Sequence, residues 1–320
     1  MPTLPIALTS GEPAGVGPEI APMAWAALRG ELDFFLIGDP SHLPAGTPLV
    51  LIDAPEQAAA AMPQGLPVLG RDFGAPRVPG EAQAVHARHV VDAIRDGVAL
   101  VQAGRAAAVT TNPIHKKALH DGAGFAFPGH TEFLASLAGR AHVVMMLACS
   151  ELRVVPTTIH IPLADVPAAL TPELLEATLR ITHASLASQL GHAPRIAVAG
   201  LNPHAGEAGA MGREEIEMIA PLIARLSAEG MQIAGPLPAD TMFHPPARAR
   251  YDVAVCMYHD QALIPIKTLD FASGVNVTLG LGFVRTSPDH GTAFDIAGTG
   301  TADPSSLIAA LRLAREMAGA

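Results

Sequence analysis

Pro5-Ile6-Ala7-Leu8-Thr9-Ser10-Gly11-Glu12-Pro13-Ala14-Gly15-Val16-Gly17-Pro18-Glu19 is the stretch whose reading decides the fold. A short apolar run, Pro5–Leu8, passes through a glycine-rich turn into a helical pattern that has Pro18 in its first turn. Strand, tight turn and helix in that order begin a βα unit. The glycines permit sharp bends and leave backbone N–H groups open to a ligand. A plain turn with no ligand accounts for the stretch equally well. Its spacing is not GxGxxG, so the common dinucleotide fingerprint is absent.

The same alternation continues outward. Further apolar runs predict strands at Phe34–Ile37, Ala107–Thr110, Val143–Leu147, Arg153–Thr157, Arg195–Ala199 and Val253–Met257. Between them, helical patterns cover Glu81–Ala103, Pro172–Leu190, Glu214–Glu229 and Ser305–Met317, with Thr171-Pro172-Glu173 ordered as cap, first-turn proline and first-turn acid. Gly65–Gly80, rich in Gly and Pro, reads as a loop. The expected class is α/β with a largely parallel sheet. No linker divides the chain, so two domains would interleave.

Composition narrows the function. The chain has 320 residues, 49% of them hydrophobic and 16% charged, with a formal net charge of -10. So acidic a chain is a poor partner for nucleic acid or an anionic membrane. Local Lys, Arg or N–H groups would have to meet any anionic substrate. The low charged fraction points to surface buried between subunits. Cys149 and Cys256 sit in apolar runs and read as core thiols, with no disulfide framework. MPTLPIALTSG lacks the form of a signal peptide, and no apolar run approaches the ~18 residues of a membrane span. A cytoplasmic protein is expected.

Three of the fourteen histidines stand apart. His160, His204 and His259 each follow the end of an apolar strand, where open α/β sheets bind ligands. Three imidazoles with an open position would suit Zn²⁺ or a similar divalent ion, although no local HxxxH pattern links them. His86, His89, His183 and His192 fall on helices or at their ends and are expected to be solvated. Lys267, Asn276 and Arg285 combine a point charge, a neutral donor and a fork, which could grip a phosphate or carboxylate. Asp289-His290-Gly291-Thr292 with Asp295 and Gly298 could receive a nucleotide ribose, and Gly129-His130-Thr131-Glu132 opens a helix suited to an anion.

GEPAGVGPE, TNPIHKKAL, FPGHTEFLA, NPHAGEAGAMGREE, GPLPADTMF, YHDQALIPIK and GVNVTLGLGFVRTSPDHGTAFDIAG together resemble the 4-hydroxythreonine-4-phosphate dehydrogenase family across nearly the whole chain. GEPAGVGPE is also similar to the GDGIGPE loop of the wider isopropylmalate and isocitrate dehydrogenase group, and DHGTAFDIAG to its HGSAPDIAG segment. The resemblance implies two interleaved α/β/α domains with a cleft between them. Residues 1–129 with about 275–320 would form one, and about 130–274 the other, carrying the metal ligands and dimer interface. It implies metal ligation by His160, His204 and His259, one of them from the partner subunit of a homodimer. Substrate contacts would come from His130, Thr131, Lys267, Asn276 and Arg285, and cofactor contacts from Gly291, Asp295 and Gly298. Lys267 and Asp240 are the candidate proton acceptors. The implied cofactors are NAD or NADP and one divalent metal (Zn, Mg or Co). The implied reaction is NAD-dependent oxidation of 4-phosphohydroxy-L-threonine to 2-amino-3-oxo-4-phosphooxybutanoate, which decarboxylates to 3-amino-2-oxopropyl phosphate. Relatives acting on 4-phospho-D-threonate or erythronate, and a metal-dependent hydrolase, are the alternatives. Gly282 stands where the family more often has Pro.

Overall fold

The computed structural model describes residues 3–319. Two compact units emerge, one running to Ala141 and resuming at Leu281, the other His142–Gly280. The first holds strands β1 (Ile6–Thr9), β2 (Phe34–Gly38), β3 (Leu49–Ile52), β4 (Leu66–Gly70) and β5 (Val109–Thr111). The second holds β6 (Val144–Cys149), β7 (Leu152–Pro156), β8 (Ile196–Ala199), β9 (Ile233–Leu237), β10 (Val253–Cys256) and β11 (Val275–Leu279), and β12 (Arg285–Pro288) returns to the first.

In the first unit the order is β3-β4-β2-β1-β5-β12, and every pairing is parallel. Strand periodicity explains the apolar runs. Ile6, Leu8, Phe34 and Leu36 point to one face and pack with Ile20, Trp25 and Leu28 of the helix Gly17–Leu28 and with Leu307 and Leu311 of the helix Ser305–Met317. Ala7, Phe35 and Ile37 point to the other and meet Ala93 of the helix Ala84–Gln102. Both faces are covered, so alternation vanishes from the sequence.

The second unit has the order β11-β6-β7-β10-β8-β9. β7, β10, β8 and β9 run parallel, and β6 is antiparallel to both its neighbours. Its core joins Leu147, Val154, Ala197, Ala254 and Cys256 to Ala262, Leu263 and Ile266 of the helix His259–Leu269. Thr171 caps the helix Pro172–Leu190 as its sequence predicts, accepting from Leu174 N at 3.2 Å, and Gly191 ends it at φ 71°.

Several expectations need correction. Gly65–Gly80 is not all loop, because it contains β4 between β3 and β2. Pro67 disguised it, yet this proline lies just before pairing with β2 begins at Val68, where a missing donor is tolerated. β3, β9, β11 and β12 also lie outside the expected strands: in β3 Leu51 is 63% exposed, and β9 carries Gly235-Pro236. His86 is buried, not solvated, and shares Ala75 O with His42, both Nε2 atoms lying 2.9 Å from it. Cys256 is buried as expected, while Cys149 is only partly so.

One contact fixes a helix that reaches the site. A Cβ at Gly122 would come within 2.3 Å of Ala84 O, so the helix Lys116–Ala123 packs against Ala84–Gln102 with no room for a methyl. Gly122→Ala should lower stability by ~1–3 kcal/mol in chemical denaturation, the usual range for overpacking. An unchanged midpoint would show that the two helices separate at little cost.

Candidate active site

β7, β10 and β8 lie side by side in parallel, and each leads into one of the three histidines. Thr158 ties two of these strand ends, donating its N–H and Oγ1 to Met257 O at 3.2 and 2.8 Å. His160 and His259 consequently face each other, their ring centroids 5.7 Å apart. A cavity of about 260 Å³ is lined there by Thr158, His160, Leu163, Tyr258 and His259. His259 Nδ1 donates to Asp260 Oδ1 at 2.7 Å, the kind of bond that orients a ligating imidazole. Imidazole nitrogens are the donor chemistry of a borderline divalent cation. Among the described residues no group of three or more His, Cys, Asp or Glu could hold a metal, so His204 does not join the pair within one chain.

His204 opens a rare backbone segment. His204, Ala205, Gly206, Glu207 and Ala208 have φ of 51°, 51°, 76°, 40° and 55°. Each non-glycine residue there costs roughly 1–2 kcal/mol, so surrounding bonds must hold the turn. His160 has positive φ as well, at 54°.

The first unit gathers Arg285, His130 and Lys116 in one cluster. Arg285, at the start of β12, is 2% exposed and donates from Nη2 to Thr111 Oγ1 at 2.6 Å. His130 begins the helix His130–Leu137, with partly exposed Thr131 next to it. Burial first, then the positive charges of Arg285 and Lys116, hold the His130 imidazolium well below its ordinary range. His130 Nε2 is buried with no hydrogen-bond partner among the described residues. A neutral ring between two cations is a ready donor to a phosphate or carboxylate. Gly282 sits just upstream at φ 86°, which proline cannot adopt, so the departure from the family pattern is built into this loop. Arg285 is buried and bonded despite it.

Asp295 and Gly291 are exposed, and Gly298 turns at φ 82°. Their segment is stapled to the glycine turn after β1. Glu19 accepts from Gly300 N at 3.1 Å and also from Gly298 N, while Val16 N donates to Thr292 O at 3.0 Å. A Cβ on Gly15 would meet Thr292 O at 2.7 Å. Of the remaining expected residues, Lys267 is half-buried with its Nζ 5.3 Å from the Phe271 ring, Asn276 Oδ1 is buried on β11 with no hydrogen-bond partner among the described residues, and Asp240 is exposed.

The family model described as "Pyridoxal phosphate biosynthetic protein PdxA" matches residues 32–314. The chain belongs to this family. It is 62% identical over 319 residues to a 4-hydroxythreonine-4-phosphate dehydrogenase of Roseobacter denitrificans, covering 99% of this chain and 98% of that one. Among solved structures, a 4-hydroxythreonine-4-phosphate dehydrogenase of Klebsiella pneumoniae superposes with a TM-score of 0.91 at 40% identity, over 99% and 100% of the two chains. A terephthalate 1,2-cis-dihydrodiol dehydrogenase of Burkholderia xenovorans superposes with a TM-score of 0.68 at 30% identity, over 98% of each.

Sequence reasoning passed over Lys116, Glu19, Asn202 and the pair Glu214-Glu215. The signal for the last two lay in NPHAGEAGAMGREE, where acids follow a histidine turn. The His130 environment has a measurable consequence. Its imidazole binds a proton less readily folded than unfolded, so stability should fall with pH below about 6.5, by up to ~1.4 kcal/mol per unit from this group. His130→Asn should flatten the pH dependence of the denaturation midpoint between about pH 5 and 6.5. An unchanged slope would mean that the ring is protonated in place.

Proposed function

We propose that this chain oxidises 4-phosphohydroxy-L-threonine with NAD or NADP, giving 2-amino-3-oxo-4-phosphooxybutanoate, which loses CO₂ to leave 3-amino-2-oxopropyl phosphate. The observation that carries this, beyond the family, is the buried Arg285 beside a neutral His130 and near Lys116, a cradle suited to a small phosphorylated acid. We assign substrate contacts to His130, Thr131 and Arg285 of the first unit and to Lys267 and Asn276 of the second. Gly291, Asp295 and Gly298 are assigned to the nucleotide, whose nicotinamide accepts the hydride; exposed Asp295 would accept from a ribose hydroxyl. Lys267, half-buried, is preferred to exposed Asp240 as acceptor of the alcohol proton.

His160, His204 and His259 would hold one divalent metal, Zn, Mg or Co, which as a Lewis acid lowers the pKa of the substrate alcohol. His160 and His259 face each other within one chain, and the third ligand would come from a second copy. A homodimer fits the exposed apolar side chains beside each histidine segment: Leu163 near His160, Met211 and Ile216 near His204, Ile264 near His259. Two unpaired cysteines suit a cytoplasmic location.

NADH formation should appear with 4-phosphohydroxy-L-threonine, exceed that with 4-phosphoerythronate or 4-phospho-D-threonate, and vanish with chelator. Faster turnover of another of these acids would reassign the substrate, and full activity in chelator would remove the metal. Arg285→Lys should raise KM roughly 10- to 150-fold, the worth of a charged hydrogen bond. Leu163→Asp should give monomers in sedimentation velocity and bind metal weakly; dimers with normal metal binding would place the interface elsewhere.

A further inference from the structure

The left-handed turn that carries His204 is held from behind by one carboxylate. Glu215 is buried, only 2% exposed. Its Oε1 accepts from Asn202 N at 2.8 Å and its Oε2 from Asn202 Nδ2 at 3.0 Å, while Asn202 Nδ2 also donates to Glu214 Oε2 at 2.7 Å. The carboxylate fits between two glycines: a Cβ at Gly206 would lie 2.6 Å from Oε2, and one at Gly200 would lie 3.1 Å from Oε1. Gly206 also belongs to the left-handed run, at φ 76°. Glu215 opens a π-helical turn, Glu215–Ile219, a form that recurs at functional sites.

The same glycine is shared with another histidine segment. Gln261, two residues after His259, donates Nε2 to Gly200 O at 2.8 Å and accepts from Met257 N at 2.7 Å. A continuous chain of bonds and close contacts thus runs from the His259 helix through Gln261, Gly200 and Glu215 to Asn202 and His204.

We infer that Glu215 is a positioning residue for His204: its buried carboxylate clamps Asn202 and seats Gly206, holding the histidine in its left-handed pose for the divalent cation. This rests on His204 being a metal ligand. Glutamine at position 215 keeps the shape but sets an NH₂ against a donor of Asn202, and turning the Asn202 amide to relieve that forfeits its bond to Glu214.

The test is Co²⁺ titration of the apo dimer, followed by visible absorbance, for wild type, Glu215→Gln, Glu215→Ala, His204→Ala and Glu215→Gln/His204→Ala. Circular dichroism establishes folding, and Glu215→Gln serves if Glu215→Ala does not fold. Expected is a roughly 10- to 100-fold weaker affinity in Glu215→Gln, as for other groups that orient metal ligands. No further loss is expected when it is added to His204→Ala. The His204 ring resonances of the metal-free protein should also shift in Glu215→Gln. Wild-type affinity in Glu215→Gln beside a weakened His204→Ala would overturn the positioning role while leaving the metal ligand intact. Wild-type affinity in His204→Ala would overturn both. Additive losses in the double variant would make Glu215 a general structural support and sink the inference.

Discussion

Strands covered on both faces have no free surface along their length, and this constraint decides where everything polar in the molecule must go. In the first unit Ile6, Leu8 and Phe34 fill one side of the sheet and Ala7, Phe35 and Ile37 the other, so polar groups collect where strands end and loops begin. The cluster of Arg285, His130 and Lys116 and the stapled glycine turn lie outside these apolar faces in the first unit, and the histidine segments follow strand ends in the second. Backbone conformations forbidden to regular structure are concentrated there too, because only a loop can hold His160 or His204 at positive φ.

Both units use buried carboxylates to fix those loops. Glu19 receives backbone donors from Gly298 and Gly300, and Glu215 receives them from Asn202. A buried carboxylate with its oxygens satisfied by N–H groups is costly to misplace, since any shift leaves charge without a partner. Each therefore defines a position more sharply than apolar packing alone would. Gly15 and Gly206 then have a plain role: one lets the backbone of Thr292 approach and the other the Glu215 carboxylate, where a methyl would collide.

Much of this was legible in the chain. The apolar runs matched β1, β2, β5, β6, β7, β8 and β10, and Thr171-Pro172-Glu173 a helix start, because period and capping are local properties. β4 was not legible, since Pro67 argues against a strand until its place in the ladder is known. The burial of His86 was equally hidden, because Ala75 O, which it shares with His42, is supplied by a loop outside its helix. The strand-end positions of His160, His204 and His259 could be read; that only two of them meet in one chain could not, because ring separation depends on loop paths. Glu215 was invisible for the same reason, as one acid among several until its neighbours were placed.

The first unit is discontinuous, and β12 with the helix Ser305–Met317 completes it next to β5 and the helix Gly17–Leu28. During synthesis the ribosome delivers β1 first, yet that sheet lacks its last strand until the whole of the second unit has been made. His142–Gly280 is contiguous and can close as soon as it emerges. The face of Ile6, Leu8 and Phe34 has Ile20, Trp25 and Leu28 early but waits for Leu307 and Leu311 until after the second unit. Chaperone demand on the nascent chain should therefore centre on the discontinuous first unit rather than on the second.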